Sequence, residues 1–253
     1  MPIIALWCHP RSMSTAIERI MRERGDCTCF HEPFLYDYYI ARQVRCLPHF
    51  QTDKDQPTSY EDIRDHLLDV AADATVFIKD MSYYVVPRLL QDHDFADQIT
   101  HSFLIRDPLR SILSYYKLDP LVTLEEIGLE AQWRHVRWLE DTTGETPLIM
   151  EAEDVQQAPK AMMAAYWSRL GLPFMPKALE WKSADMPKDW KVVSGWHEMV
   201  SQSQTIQVSS AKEEAEARAA FDVLLKTAPH LADFLSHHLP SYRELRRRAI
   251  KPG

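Results

Sequence analysis

The sequence opens with a short apolar run, which leads through a polar loop into an amphipathic segment. This unit of three parts limits the folds that the chain can adopt. The first unit has an apolar run at residues 3–7 and apolar side chains at helical spacing between residues 16 and 21. Such a run predicts a strand buried on both faces, and such spacing predicts a helix. Gly25 predicts the end of that helix, because glycine readily adopts the left-handed conformation that closes many helices.

The same unit recurs along the chain. Further strands are predicted at residues 75–78, 99–105 and 147–150, and further helices at residues 83–90, from Pro108, and at residues 124–139 and 159–170. Alternating strands and helices predict an α/β fold of three layers, with a central, mostly parallel sheet flanked by helices. We expect residues 1–253 to form a single domain, with a helical C-terminal part from about residue 176.

Composition narrows the classes of function. A formal net charge of −8 argues against a general nucleic-acid-binding protein, because such proteins cluster cations against phosphates. The first residues lack the basic region and cleavage site of a signal peptide, and no apolar stretch approaches the roughly 20 residues that span a bilayer. All four cysteines lie in the first fifth of the chain, without the spacing of a metal or disulfide framework. We therefore expect a cytoplasmic protein with reduced thiols, no membrane segment and no metal.

The loop of residues 9–15 joins the first strand to the first helix. In a parallel sheet this is where ligands bind, because a helix N-terminus there offers backbone N–H groups and a positive dipole end. Arg11 adds a permanent cation, and Ser12, Ser14 and Thr15 add hydroxyl groups, so the loop is suited to a terminal phosphate or sulfate. The alternative is a structural turn, since Thr15 and Glu18 have the spacing of a capping box. The glycine-rich pattern of nucleoside triphosphate loops is absent.

Two segments resemble sulfotransferases. Pro10-Arg11-Ser12-Met13-Ser14-Thr15 resembles the Pro-Arg/Lys-Ser-Gly-Thr-Thr loop with which that family holds a 5′-phosphosulfate, and residues 106–117, RDPLRSILSYYK, resemble its Arg-Asn/Asp-Pro…Ser-x-Tyr segment, which holds a 3′-phosphate. The resemblance implies a P-loop NTPase-like fold, 3′-phosphoadenosine 5′-phosphosulfate as co-substrate, and sulfuryl transfer to a hydroxyl or amine of a small-molecule acceptor. Met13 departs from the family's glycine, and it is strained if that position needs a positive φ.

The resemblance also assigns residues to the co-substrate. Residues 11–15 are implied for the phosphosulfate, and Arg106 with Ser114 for the 3′-phosphate. Arg106 is predicted at a strand's carboxyl end, and Ser114 lies about 140° around the next helix from Leu109, off its apolar stripe. The alternative for Arg106 is an ion pair with Asp107 or Asp80. A weaker match at residues 190–197 suggests that Trp196 stacks on adenine, against the alternative of a core or lid tryptophan.

Glu32 is the candidate base, because sulfuryl transfer to a hydroxyl requires a group that accepts the acceptor's proton. Its alternative role is to position the acceptor or to form a salt bridge, and His31 is a second candidate base. Lys79 resembles in position a lysine that stabilises the bridging oxygen in related enzymes, and its alternative is an ion pair with Asp80 or Asp107. Arg11, Glu32 and Lys79 form the predicted catalytic set. Tyrosines 36, 38 and 39 are expected either to line an acceptor pocket or to pack a helix.

Two rival functions stay open at this point. A small-molecule kinase on the same fold would need magnesium ligands, for which Asp80 is a candidate. A non-catalytic nucleotide-binding protein would keep the phosphate sites without a base. The sequence does not identify the acceptor, and it does not decide between a monomer and a homodimer.

Overall fold

The computed structural model describes residues 1–182, 187–196, 203–206 and 211–252. Its centre is a five-stranded sheet in the order β2-β3-β1-β4-β5, in which every pair of neighbours is parallel. The strands are β1 Ile3–Cys8, β2 Thr28–His31, β3 Val76–Met81, β4 Ile99–Ile105 and β5 Leu148–Glu151. Ile3 lies between Val76 and Ile99, so β1 is the middle strand, and all six of its residues are buried. The predicted α/β class is confirmed.

Helices connect the strands and pack against the sheet. They are α1 Ser14–Arg24, α2 Tyr60–Asp73, α3 Ser82–Leu89, α4 His93–Ala96, α5 Pro108–Leu118, α6 Leu129–Thr143, α7 Ala152–Gln157, α8 Pro159–Arg169, α9 Ala211–Leu224 and α10 Leu231–Arg248. Other helical segments are a π-helix at Asp37–Ala41 and 3₁₀ segments at Glu125–Ile127, Pro176–Leu179 and Lys188–Trp196, the last of which is interrupted at Val193. α1 ends before Gly25, its C-cap, as predicted. α5 begins at Pro108, as predicted, with Asp107 as its N-cap. None of the described helices has the length and apolar composition needed to cross a bilayer.

The prediction of one helix over residues 124–139 is wrong at its start. Gly128 has φ 79° and separates the turn Glu125–Ile127 from α6. A Cβ atom on Gly128 would lie 3.0 Å from the Cβ of His9. The glycine therefore lets this chain segment pack directly against the loop that follows β1, and the break in the helix supports the site.

The C-terminal helices share a smaller hydrophobic cluster with α5. Phe221 and Leu231 pack there with Leu109 and Ile112. These helices lie where a helical C-terminal part was expected. The assignment of the whole chain to a single domain stays a prediction. All four cysteines are free.

Candidate functional site

The candidate site opens where the sheet connections change direction. The chain leaves β1 towards β2 on one side of the sheet, and it leaves β4 towards β5 on the other. A crevice therefore forms between the carboxyl ends of β1 and β4, the usual ligand position in an open parallel sheet. The backbone N–H of Arg106 donates to His9 Nε2 at 3.0 Å and holds the two strand ends together. Burial lowers the pKa of His9 to about 3, so this imidazole is a neutral acceptor.

The loop after β1 has two non-glycine residues in the left-handed region. Arg11 has φ 62° and Met13 has φ 73°, and Met13 is the cap from which α1 begins at Ser14. Left-handed φ values in such residues cost about 1–2 kcal/mol each. The position at which related loops carry glycine thus has the positive φ for which glycine is suited, and Met13 adopts it under strain.

The alternative capping box at Thr15 is wrong. Met13 is the N-cap and makes no side-chain cap hydrogen bond. Glu18 is fully buried, and its carboxylate is directed to other partners. Oε1 accepts hydrogen bonds from Arg22 Nε and from Trp190 Nε1, both at 2.8 Å, while Oε2 lies 2.5 Å from His31 Nδ1.

Two arginines meet above this loop. Arg11 donates from Nε to Ser114 Oγ at 2.9 Å and from Nη1 to the Trp196 carbonyl at 2.8 Å. Arg106 donates from Nη1 to the Arg11 carbonyl at 2.8 Å. Burial, and then the charge of Arg106, lower the pKa of Arg11; burial also lowers that of Arg106. Two crowded cations with depressed pKa values favour a bound anion.

The alternative for Arg106, an ion pair with Asp107 or Asp80, is not found among the described residues, and its nearest carboxylate is that of Glu153. Asp107 accepts from the Leu109 N–H at 2.8 Å and begins α5. Asp80 is fully buried and accepts from the N–H groups of Phe34 and Met81, both at 2.8 Å. Asp80 is therefore used by the backbone and is poorly placed as a magnesium ligand. Among the described residues, no three His, Cys, Asp or Glu side chains are grouped to hold a metal ion.

Several buried polar atoms in or beside the loop lack hydrogen-bond partners among the described residues, and His9 Nδ1 is one of them. Ser12 Oγ has none, although Ser12 is fully buried. Arg106 Nε has none either, since Glu153 Oε1, its nearest carboxylate oxygen, is 3.6 Å away. Buried polar atoms of this kind are nearly always paired, so each one needs an explanation. Because Arg106 lines the cavity described below, an acceptor oxygen of a phosphate or sulfate bound there would pair with its Nε.

The predicted base and lysine lie at the neighbouring strand ends. Lys79 Nζ, fully buried on β3, donates to Glu32 Oε1. Burial lowers the pKa of Lys79, but the charges of Glu32 and Glu18 outweigh that effect and leave it above its ordinary value. Glu32 has φ 46°, and its backbone N–H donates to the Lys79 carbonyl at 2.8 Å. The structure thus pairs Lys79 with Glu32 and not with Asp80 or Asp107.

His31 lies behind Glu32. Its Nε2 is 3.6 Å from Glu32 Oε1, and its other nitrogen is held by Glu18. Burial, followed by the charge of Lys79, holds the pKa of His31 well below its ordinary value.

One cavity connects these groups. Its empty volume is about 1080 Å³, including space open to solvent. Seven of the residues predicted for the site line the cavity: Arg11, Met13, Ser14, Thr15, Glu32, Arg106 and Trp196. The other three, Ser12, Lys79 and Ser114, do not line it. The roles of all ten residues stay predictions. His197, at the end of the weak late match, lies outside the described residues.

Trp196 is anchored on two sides. Its indole Nε1 donates to the Pro48 carbonyl at 2.9 Å, and its ring meets Tyr115 edge-on with centroids 5.2 Å apart. Its carbonyl accepts from Arg11, so the tryptophan links the phosphate loop to the segment around Pro48.

Several residues of the site leave no clear signal in the sequence. Tyrosines 36, 38 and 39 are buried in the core, whereas the cavity is lined by Tyr115 and by the pair Tyr83 and Tyr84. A helix start after β3 was the only available signal for this pair. The spacing of Glu18 indicates only a helix cap, because its contacts with Trp190 and His31 join distant parts of the chain.

Comparisons with known proteins identify a family and a shared fold. The family model described as "Sulfotransferase domain" matches residues 1–237. The sulfotransferase domain from the curacin biosynthetic pathway superposes with a TM-score of 0.54 at 15% identity, covering 82% of this chain and 88% of that one. The sulfotransferase domain from the Synechococcus PCC 7002 olefin synthase superposes with a TM-score of 0.50 at 17% identity, covering 88% and 94%. At these identities the structures show a shared fold.

Two curated relatives are similar over nearly all of this chain. Branched-chain-amino-acid aminotransferase-like protein 2 of Arabidopsis thaliana is 25% identical over 268 residues, and protein 1 of the same name is 23% identical over 266 residues. The matches cover 100% and 99% of this chain but 44% of each relative. This chain therefore spans less than half the length of the curated relatives that it matches.

Proposed function

The chain belongs to the sulfotransferase domain family, and from this premise we propose that it transfers the sulfuryl group of 3′-phosphoadenosine 5′-phosphosulfate to a small-molecule acceptor. The acceptor group is a hydroxyl or an amine. The observation that carries the proposal is one cavity lined by the Arg11 and Arg106 cations and by the Glu32 carboxylate. Such a cavity combines an anion site with a proton acceptor, the two elements that sulfuryl transfer requires.

The residues present fit this co-substrate. Arg106 lines the cavity, and its Nε, which has no hydrogen-bond partner among the described residues, supplies a donor for the anionic groups. In the proposal, residues 11–15 hold the 5′-phosphosulfate, Arg106 and Ser114 hold the 3′-phosphate, and Trp196 contacts the adenine. When bound, the co-substrate supplies an activated sulfuryl group. Arg11 neutralises the charge that develops beside the loop.

Glu32 is the proposed base, because it lines the cavity. His31, the second candidate, is buried behind it with one nitrogen held by Glu18. Lys79 keeps Glu32 in its place through the buried ion pair. The predicted action of Lys79 on the bridging oxygen requires its Nζ to reach past Glu32 when the site is filled. The four free cysteines are compatible with a reducing compartment, and we propose a cytoplasmic location.

Titration calorimetry tests the donor. We expect adenosine 3′,5′-bisphosphate to bind at least tenfold more tightly than ATP with magnesium. A preference for ATP with magnesium would overturn the proposal in favour of a kinase. Binding of the bisphosphate, without sulfated product from ³⁵S-labelled donor across hydroxyl and amine acceptors in cell extract, would favour the non-catalytic nucleotide-binding protein.

A further inference from the structure

The cavity has a cationic half and an apolar half, and their boundary follows the strand order. Arg106 follows β4, and Arg11 follows β1. On the other side of β1, Met81 ends β3 and Tyr83 lies in the helix after it. Leu35 follows β2, the last strand on that side. Anionic parts of a ligand are therefore held on the β4 and β1 side, and the β3 and β2 side is left for the acceptor.

Glu32 is the only charged residue among the described cavity-lining residues of this apolar half. The nearby Lys79 is buried and already paired with it. Tyr83 and Tyr84 bring hydroxyl groups, but burial raises both pKa values well above their ordinary range and keeps the phenols neutral. The Tyr83 hydroxyl already lies 3.3 Å from that of Tyr39. Gln156, Ser203 and Thr205 also line the cavity, and each of them already has an interaction partner. The apolar half thus offers few polar partners and no unpaired cation among the described residues.

Resting on the proposed function, we infer that the acceptor is an uncharged molecule with an apolar body and a single hydroxyl group. An acidic acceptor would place a second negative charge beside Glu32 without a compensating cation. A sugar would bury several hydroxyls without partners, each at a cost of about 1–3 kcal/mol. An apolar body gains roughly 25 cal/mol for each Å² that it buries against Leu35, Leu47 and Met81.

The acceptor oxygen forms the new S–O bond, and the bond between sulfur and the bridging oxygen of the donor breaks. The electron pair of the broken bond leaves with adenosine 3′,5′-bisphosphate, and the acceptor proton passes to Glu32.

Matched pairs of acceptors test the inference with ³⁵S-labelled donor. 2-Naphthol is compared with 6-hydroxy-2-naphthoate, which adds one charge, and cyclohexanol with glucose, which adds hydroxyls. We expect kcat/KM to be at least tenfold higher for the neutral, apolar member of each pair. Preference for the naphthoate or for glucose would overturn the inference and leave sulfuryl transfer intact.

A pair of variants places the acceptor in the cavity. Leu47→Asp puts a carboxylate on the apolar half, and Leu121→Asp makes the same change at a site that is 79% exposed. We expect Leu47→Asp to lower kcat/KM for 2-naphthol at least tenfold and to leave bisphosphate affinity unchanged. Leu121→Asp should match the wild type. Equal activity of both variants on 2-naphthol would contradict the assignment.

Calorimetry with 2-naphthol separates this inference from the proposed function. Binding of 2-naphthol that Leu47→Asp weakens supports the apolar site even if no acceptor is sulfated, in which case the proposed function alone fails. Absence of 2-naphthol binding, both to bisphosphate-loaded and to free protein, overturns the inference.

Discussion

Arg11 and Ser114, 103 residues apart in the chain, meet through a hydrogen bond of 2.9 Å from the guanidinium Nε to the hydroxyl Oγ. This contact joins the loop after β1 to α5, the helix after β4. The two segments that resemble sulfotransferases separately are thus one physical unit.

Ser114→Ala should weaken this unit. The variant removes a hydroxyl that orients Arg11, and hydrogen bonds to charged groups contribute about 1.5–3 kcal/mol. We expect the Kd of adenosine 3′,5′-bisphosphate to rise about tenfold or more in calorimetry. Ser111→Ala is the matched control on the same helix, because Ser111 Oγ donates to the Asp107 carbonyl at 3.3 Å. If the two variants bind adenosine 3′,5′-bisphosphate with equal affinity, Ser114 does not contribute to the donor site.

Glu32→Gln should abolish most of the turnover. The amide keeps the shape of the side chain but cannot accept a proton, and general base catalysis typically contributes 10²–10⁴-fold. Bisphosphate affinity should stay near that of the wild type, which also shows that the variant is folded. Lys79→Met removes the buried cation with similar volume and should also lower kcat. Wild-type turnover in both variants would remove both residues from the mechanism.

The sheet was largely predictable, because strands buried on both faces leave continuous apolar runs in the sequence. The run at Ile99–Ile105 has the predicted bounds. β2 is not among the predicted strands, since Thr28–His31 is a short edge strand with one exposed and two half-buried residues and leaves no apolar run. The phosphate loop could be found because its chemistry is local. Glu18 could not, because its role depends on Trp190, 172 residues away.

Met13 should respond to substitution as a left-handed residue. Glycine relieves the positive φ, whereas a β-branched side chain tolerates it least. We expect the free energy of unfolding of the Met13→Gly variant to be at least about 1 kcal/mol higher than that of the Met13→Val variant, although valine keeps more apolar contact. Met21, in the middle of α1, is the control, and there valine should be more stable than glycine. If the valine variant is more stable than the glycine variant at position 13 as well as at position 21, the loop is not strained at Met13.

Glu18→Gln should destabilise the fold strongly. The variant leaves Arg22, His31 and Lys79 without the buried carboxylate that they share, and breaking a buried charge pair costs about 3–5 kcal/mol. Glu23→Gln, on the same helix, breaks the ion pair between Glu23 and Arg19, in which the Glu23 carboxylate is partly exposed to solvent. We expect this variant to lose less than about 1 kcal/mol in the free energy of unfolding. Urea denaturation measures both. Similar losses in the two variants would mean that Glu18 is not a structural centre.

His135 gives a prediction that depends on pH. Its ring is fully buried among Trp7, His101 and Phe103, and neither nitrogen has a hydrogen-bond partner among the described residues. Burial, followed by the charge of His101, holds its pKa well below its ordinary value. The unfolded chain therefore binds a proton that the folded protein excludes, and this residue lowers stability as pH falls below about 6.5.

His135→Leu should remove that penalty. We expect the variant to gain about 2 kcal/mol in the free energy of unfolding relative to the wild type when the pH is lowered from 7 to 5. Urea denaturation at a series of pH values measures the gain. His66→Leu makes the same replacement at an exposed histidine and serves as the control for the substitution itself. If the His135 variant follows the wild type at every pH, the imidazole is protonated inside the fold, and a partner must reach its nitrogens.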